Sequence, residues 1–233
     1  MPANAARTST ALALVQLPAA ALPMKYNRDK ALQSLVYLCD HLPQPVSVYT
    51  ALKVIYFADK LHLERFGRQM FGDTYIAMDN GPVPSGAYDI VKYVSGRAKY
   101  DLEFPAAHAA LFATPRELVK KARPDLDVFS RSELMCLAAC ARQFGGLSFN
   151  ELKTISHDEA WKQADQNGEM DLPSIAATLK DGDLIVQHLR DRTPGAADGT
   201  VTIEPATAMP ASEAEPRTIV ESVGDPRVSV FTD

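Results

Sequence analysis

The chain has 233 residues, 46% of them hydrophobic, and a formal net charge of −5, enough apolar material to bury one core with flanking segments. Three cysteines, at 39, 136 and 140, argue against a disulfide framework and fit a reducing compartment, so the expected location is cytoplasmic. Residues 191–233 hold eight acids and three arginines, leaving 21 of each sign in the preceding 190; a neutral body lacks the clustered Lys and Arg that attract phosphate backbones.

Residues 1–24 are expected to be an unstructured leader. The segment carries an alanine-rich run, "ALALVQLPAAAL", broken by Gln16 and Pro18, which makes it a poor secretory signal and far too short to span a membrane. Met24 stands immediately before the first periodic stretch and is a possible true start.

Helical patterning dominates the chain after Met24. Asn27 can cap a first helix whose Leu32, Leu35, Val36 and Cys39 recur at helical spacing and which ends before Pro43. Ser47 can cap a second, "VYTALKVIYFADKLHLERF", with Val48, Leu52, Ile55, Tyr56, Leu63 and Phe66 along its buried side and Gly67 as its C-terminal stop. On that helix His62 stands beside acids, and a solvated face is expected there.

Strand signals are sparse. "TYIAM", 74–78, alternates, and Asp79-Asn80-Gly81-Pro82 forms a strong turn cluster after it. The segments 110–114 and 117–122, separated by Pro115-Arg116, are expected to form a hairpin. The only dense basic spot, "LVKKAR" at 118–123, reads as a solvated strand edge. The capping-box spacing then occurs three times, at Ser130 with Glu133, Ser148 with Glu151 and Ser156 with Glu159, predicting three successive helix starts. Cys136 and Cys140 lie one turn apart on the most apolar of these helices and are expected in the core. A last helix is expected within 174–190. Residues 191–233, with five prolines and one aromatic, are expected to be a disordered acidic tail. The expected fold class is α+β and mainly α: a helical body with a small antiparallel β-sheet and disordered tails.

The chemistry-bearing residues form no recognisable set. The five histidines stand alone, with no H-E-x-x-H, no Cys-x-x-Cys, no G-x-S-x-G and no glycine-rich phosphate loop. No metal, no cofactor and no enzymatic activity are therefore expected.

Residues 51–92, "ALKVIYFADKLHLERFGRQMFGDTYIAMDNGPVPSGAYDIVK", resemble the core motif of the Panacea domain, the SocA-like antitoxin family. The resemblance lies in a helix with Lys53, Tyr56 and Asp59, then Gly67 and Arg68, the "GDTYIAM" strand, and Gly81-Pro82-Val83 before a helix holding Tyr88. A later block, 146–164, is similar to the family's capped helix followed by His157 and Trp161. The resemblance implies a Panacea domain over 25–190 and a protein that binds and neutralises a cognate protein toxin, either directly or as a proteolytic adaptor to ClpXP. Tyr75, Asn80, Gly81, Pro82, Val83, Tyr88, His157 and Trp161 are then the expected partner-binding residues.

Two readings of the Gly-Pro-Val-Pro corner stay open. It can be a preformed binding feature, since Gly81 tolerates positive φ and Pro82 and Pro84 stiffen the chain, or it can simply end a strand and start a helix. The alternative function is a DNA-binding helix-turn-helix regulator with 110–122 as its wing. The helices expected at 130–143 and 148–164 are apolar or mixed where a recognition helix would be basic, so nucleic acid is an unlikely partner.

Overall fold

The Asn27 side chain accepts the Lys30 N–H at 3.0 Å and starts α1, Arg28–His41. In the same way Ser47 accepts the Thr50 N–H and starts α2, Val48–Phe66, which Gly67 closes with φ 65° in the left-handed region. This computed structural model describes residues 24–98 and 103–191. The segments expected to be a leader, 1–24, and a disordered acidic tail, 191–233, lie outside the described residues except for Met24 and Asp191.

The remaining helices are α3, Ser85–Val94; α4, Pro105–Ala110; α5, Arg131–Phe144; α6, Phe149–Ser156; α7, Glu159–Gln163; α8, Leu172–Ala177; and α9, Gly182–Asp191. Among the described residues six short strands make two three-stranded antiparallel sheets. One has the order β1 (Val46–Ser47), β5 (Glu117–Lys120), β4 (Leu111–Ala113); the other has β3 (Gly81–Pro84), β2 (Tyr75–Met78), β6 (Glu169–Met170). The mainly helical α+β class is as expected, with the sheet material divided between two places.

Both sheets are organised by α2. One of its sides packs with α1, α3, α5 and the β1–β5–β4 sheet, where Leu35, Ile55, Ile90, Leu111, Leu118, Cys136 and Cys140 are buried. Its other side carries Tyr56 and Leu63 into a second cluster with Tyr75, Met170, Ile175 and Ile185. A helix buried on two sides has to place its polar residues inside the protein as well, and this shapes the site.

Four local expectations are corrected. The Ser156–Glu159 capping box does not form: Ser156 ends α6, fully buried, with its hydroxyl on Lys153 O, and Asp158 caps α7 by accepting the Trp161 N–H at 3.1 Å. His62 is not on a solvated face. It is buried between the Arg68 carbonyl (2.9 Å) and the Ser132 hydroxyl (3.1 Å), because the chain after Gly67 turns back over it. The strand within "LVKKAR" is not an edge, since β1 pairs with its outer side through Val46–Leu118. Finally, Gly81–Pro84 is not only a turn; it is an edge strand paired with β2 from Met78–Gly81 to Tyr75–Pro84.

Candidate functional site

Lys53, Tyr56 and Asp59 follow one another at i, i+3, i+6 on α2 and are all buried. Such a row forms an inclined ridge on a helix, and here the ridge meets the β2–β3 hairpin and the α6–α7 joint. Lys53 Nζ donates to Pro82 O at 2.7 Å. The Tyr56 hydroxyl donates to Asp158 Oδ2 at 3.3 Å, where Lys60 Nζ also donates at 2.5 Å. Asp59 accepts from the Tyr75 hydroxyl at 2.5 Å, from Gln69 Nε2 at 3.3 Å and from the Met70 N–H. Gly67 makes the last of these possible: its left-handed conformation returns the chain so that Met70 lies beside Asp59.

Burial sets the protonation of this ridge. It lowers the Lys53 pKa to about 7, with no carboxylate on Nζ to oppose it. It raises Asp59 to about 6, against the pull of the Met70, Tyr75 and Gln69 hydrogen bonds. Tyr56 and Tyr75 are pushed well above the usual phenol range, by burial first and then by Asp158 and Asp59 respectively.

The Gly-Pro-Val-Pro strand fits its edge through alternation. Ser85 N–H donates to Thr74 O, so residues of the same parity, Val83 and Gly81, turn their amides toward β2, while Pro82 and Pro84 face away, where a missing N–H costs no ladder bond. The same parity turns Pro82 O away from β2 and toward Lys53. Gly81 has φ 93°, and a Cβ there would overlap the Ser156 hydroxyl and Lys53 Nζ; only glycine fits. His157 stacks on Trp161 with centroids 3.6 Å apart and 11° between planes, and Trp161 Nε1 donates to Met78 O at 3.0 Å. His157 Nε2 is buried with no hydrogen-bond partner among the described residues, and burial, then Lys153 and Lys53, holds its pKa down.

Two buried carboxylates do more than the sequence reading assigned to them. Asp73 accepts from the N–H groups of Thr74, Gly86 and Ala87 at 2.7–2.9 Å. It thereby caps α3 from outside, where Pro84 at the N-cap makes no side-chain cap bond. Glu133 completes the Ser130 capping box, but it also accepts Lys30 Nζ at 2.8 Å and Arg68 Nη1 at 3.0 Å. Burial alone would raise its pKa; the bonds from Lys30, Ser130 and Arg68 together bring it below the usual value. The capping-box spacing pointed to Glu133, but nothing local pointed to its two distant partners.

The expected partner-binding residues are therefore divided. Tyr75, Gly81 and Pro82 are buried and hold the hairpin on α2. His157 and Trp161 are half-buried and tie α7 to the hairpin end. Asn80, Val83 and Tyr88 line an open cleft of about 540 Å³ together with Tyr49, Arg116 and Phe149. These last three were missed, although an aromatic at the first position of α6, outside its buried stripe, is a signal in Phe149, which is 47% exposed. Among the described residues no group of His, Cys, Asp or Glu could hold a metal ion, and no helix is long and apolar enough to cross a membrane.

The fold and site define a mainly helical domain whose polar motif residues work as internal fasteners beneath a hairpin, beside an aromatic cleft. Residues 52–162 match the family model described as antitoxin SocA-like, Panacea domain, the family that the sequence motifs of this stretch resemble. The matched stretch runs from α2 to α7 and includes the buried ridge, both hairpins and the His157–Trp161 stack. No curated protein and no solved structure gives a significant match.

Proposed function

We propose that this chain is the antitoxin of a toxin–antitoxin pair, a non-enzymatic cytoplasmic protein that binds and neutralises a cognate protein toxin. The match of residues 52–162 to the SocA-like antitoxin family carries this reading. The geometry supports binding over chemistry. Lys53 and Asp59, which burial brings to pKa values of about 7 and about 6, are enclosed and occupied with holding the hairpin, while the half-buried Tyr49 and Tyr88 and the exposed Phe149 line the cleft.

Direct neutralisation is the route we propose. Delivery of the toxin to ClpXP would instead shorten its half-life in cells that contain the protease, and equal half-lives with and without the protease separate the two. A helix-turn-helix reading has less support: α6 carries the exposed Glu151 in its first turn, and a recognition helix presents its N-terminal residues to DNA. Co-expression provides the test. The neighbouring reading frame should be toxic alone and harmless with this chain, and the two products should co-purify; toxicity that persists, or failure to co-purify, removes the antitoxin reading.

A further inference from the structure

We propose that the joint between α6 and α7 is a proton-operated catch: a proton taken up by the His157 imidazole in mild acid releases the Trp161 ring from the end of the β2–β3 hairpin. The inference does not depend on the antitoxin reading, and it adds a way of altering the support of the hairpin.

The catch is made of few parts. His157 ends α6, its ring lies flat on Trp161 with 3.6 Å between centroids, and Trp161 Nε1 donates to Met78 O at 3.0 Å. Helix α7 has five residues, too few to be stable through its own backbone bonds. Its place therefore depends on side-chain ties such as this one.

The imidazole sits where a further proton is unwelcome. Its Nε2 is buried with no hydrogen-bond partner among the described residues, and a cationic N–H left there would have no acceptor. His157 Cδ2 and Lys53 Nζ converge under the hairpin, 3.1 and 2.7 Å from the point where a Gly81 side chain would begin. In mild acid that ammonium is charged, since burial brings Lys53 to about 7, and it donates to the neutral Pro82 carbonyl. Lys153 of α6 is a second positive charge acting on the ring. The opposing carboxylate is Asp158, which is paired with Lys60 Nζ at 2.5 Å and also accepts the Tyr56 hydroxyl. Asp79 and Lys162, one of each sign, line the pocket at the Trp161 ring.

Burial, then Lys153 and Lys53, hold the closed imidazole below its ordinary 6.5, against Asp158. Stacking on an indole face also attracts a cation, so the outcome turns on which side is stronger. Opening the joint returns the ring to water and to its ordinary value. Between that value and the lower one of the closed joint, the open form holds the proton and the closed form does not. The closed joint is therefore fully favoured above about pH 6.5 and loses stability progressively as pH falls below it.

The full chain carries its own reporter, because Trp161 is its single tryptophan. Tryptophan emission and the His157 ring proton resonance should be followed from about pH 8 to about pH 5 in the parent and in His157→Gln, Lys153→Met and Lys53→Met. In the parent, emission should move reversibly to longer wavelength, with the midpoint of the His157 resonance, below 6.5, while the far-ultraviolet circular dichroism stays constant. His157→Gln should abolish the transition. Each lysine variant should raise the midpoint by at least about 0.3 in pH; Lys153 is half-buried, so its variant keeps the test open should Lys53→Met lose the fold. A His157 midpoint at or above 6.5 overturns the inference, because stacking then outweighs the lysines. Emission that stays constant while His157 titrates, or that shifts equally in His157→Gln, overturns it as well.

Discussion

Lys53 Nζ donates to the Pro82 carbonyl at 2.7 Å, joining the middle of α2 to a strand whose two prolines turn their carbonyls away from β2. A buried ammonium without a counter-ion is expensive, which is why burial brings this lysine to about pKa 7. In an unfolded chain the group titrates near 10.5. Between about pH 7 and 10.5 the unfolded state holds the proton and the folded state does not, so stability from this group rises with pH across that window; below it the full cost is present. Lys53→Met keeps most of the stem and should flatten the rise. Urea unfolding at pH 7 and 9.5 measures it, with a single-group slope of up to about 1.4 kcal/mol per pH unit; an unchanged slope in the variant assigns the effect elsewhere.

Gly81→Ala should destabilise the fold. The residue has φ 93°, and a side chain would overlap Ser156 and Lys53. Backbone strain of about 1–3 kcal/mol is the lower part of the expected loss, read as a fall in the denaturation midpoint. A variant that melts with the parent would show that the corner relaxes without cost.

Tyr75→Phe removes the hydroxyl that donates to Asp59 at 2.5 Å. At pH 7.5, where a carboxyl raised to about 6 is ionised, the loss should be about 1.5–3 kcal/mol, the range for a hydrogen bond to a charged group. At pH 5 Asp59 carries its proton in the folded state, and the same substitution should cost less. Equal losses at both pH values would place the charge of Asp59 elsewhere.

Glu133→Gln leaves Lys30 and Arg68 without their shared carboxylate, which is fully buried. Breaking a buried pair typically costs about 3–5 kcal/mol, and partial exposure of Arg68 should bring this case toward the lower end. The folded-state pKa of Glu133 is depressed, so its contribution is present above the usual glutamate value and disappears as pH falls through the folded one. The gap between parent and variant, measured by denaturant unfolding, should therefore close in acid.

Much of the fold was legible because helix starts are local. The oxygens of Asn27, Ser47, Ser130 and Ser148 each reach an amide three residues ahead, and the spacing alone announces them. The third capping box failed for an equally local reason, since Asp158 competes for the next helix start and leaves Ser156 inside α6. The Gly-Pro-Val-Pro strand was hidden because prolines normally argue against strands, and only the parity of an edge strand accommodates them.

The sequence by itself determined the order of most helices, the 111–120 hairpin, the glycine at 81 and the family motif, all of which depend on contacts within a few residues or on composition. Tertiary structure alone decided that Lys53, Asp59, His62 and Glu133 lie inside. Periodicity assigns charged residues to solvent because burying them is costly without a partner, and their partners come from far along the chain: Pro82 for Lys53, Tyr75 for Asp59, Ser132 for His62 and Lys30 for Glu133. The cleft has the same origin. Tyr49, Asn80, Arg116 and Phe149 belong to four separate segments, and no pattern within any one of them could show that packing around α2 brings them to one opening.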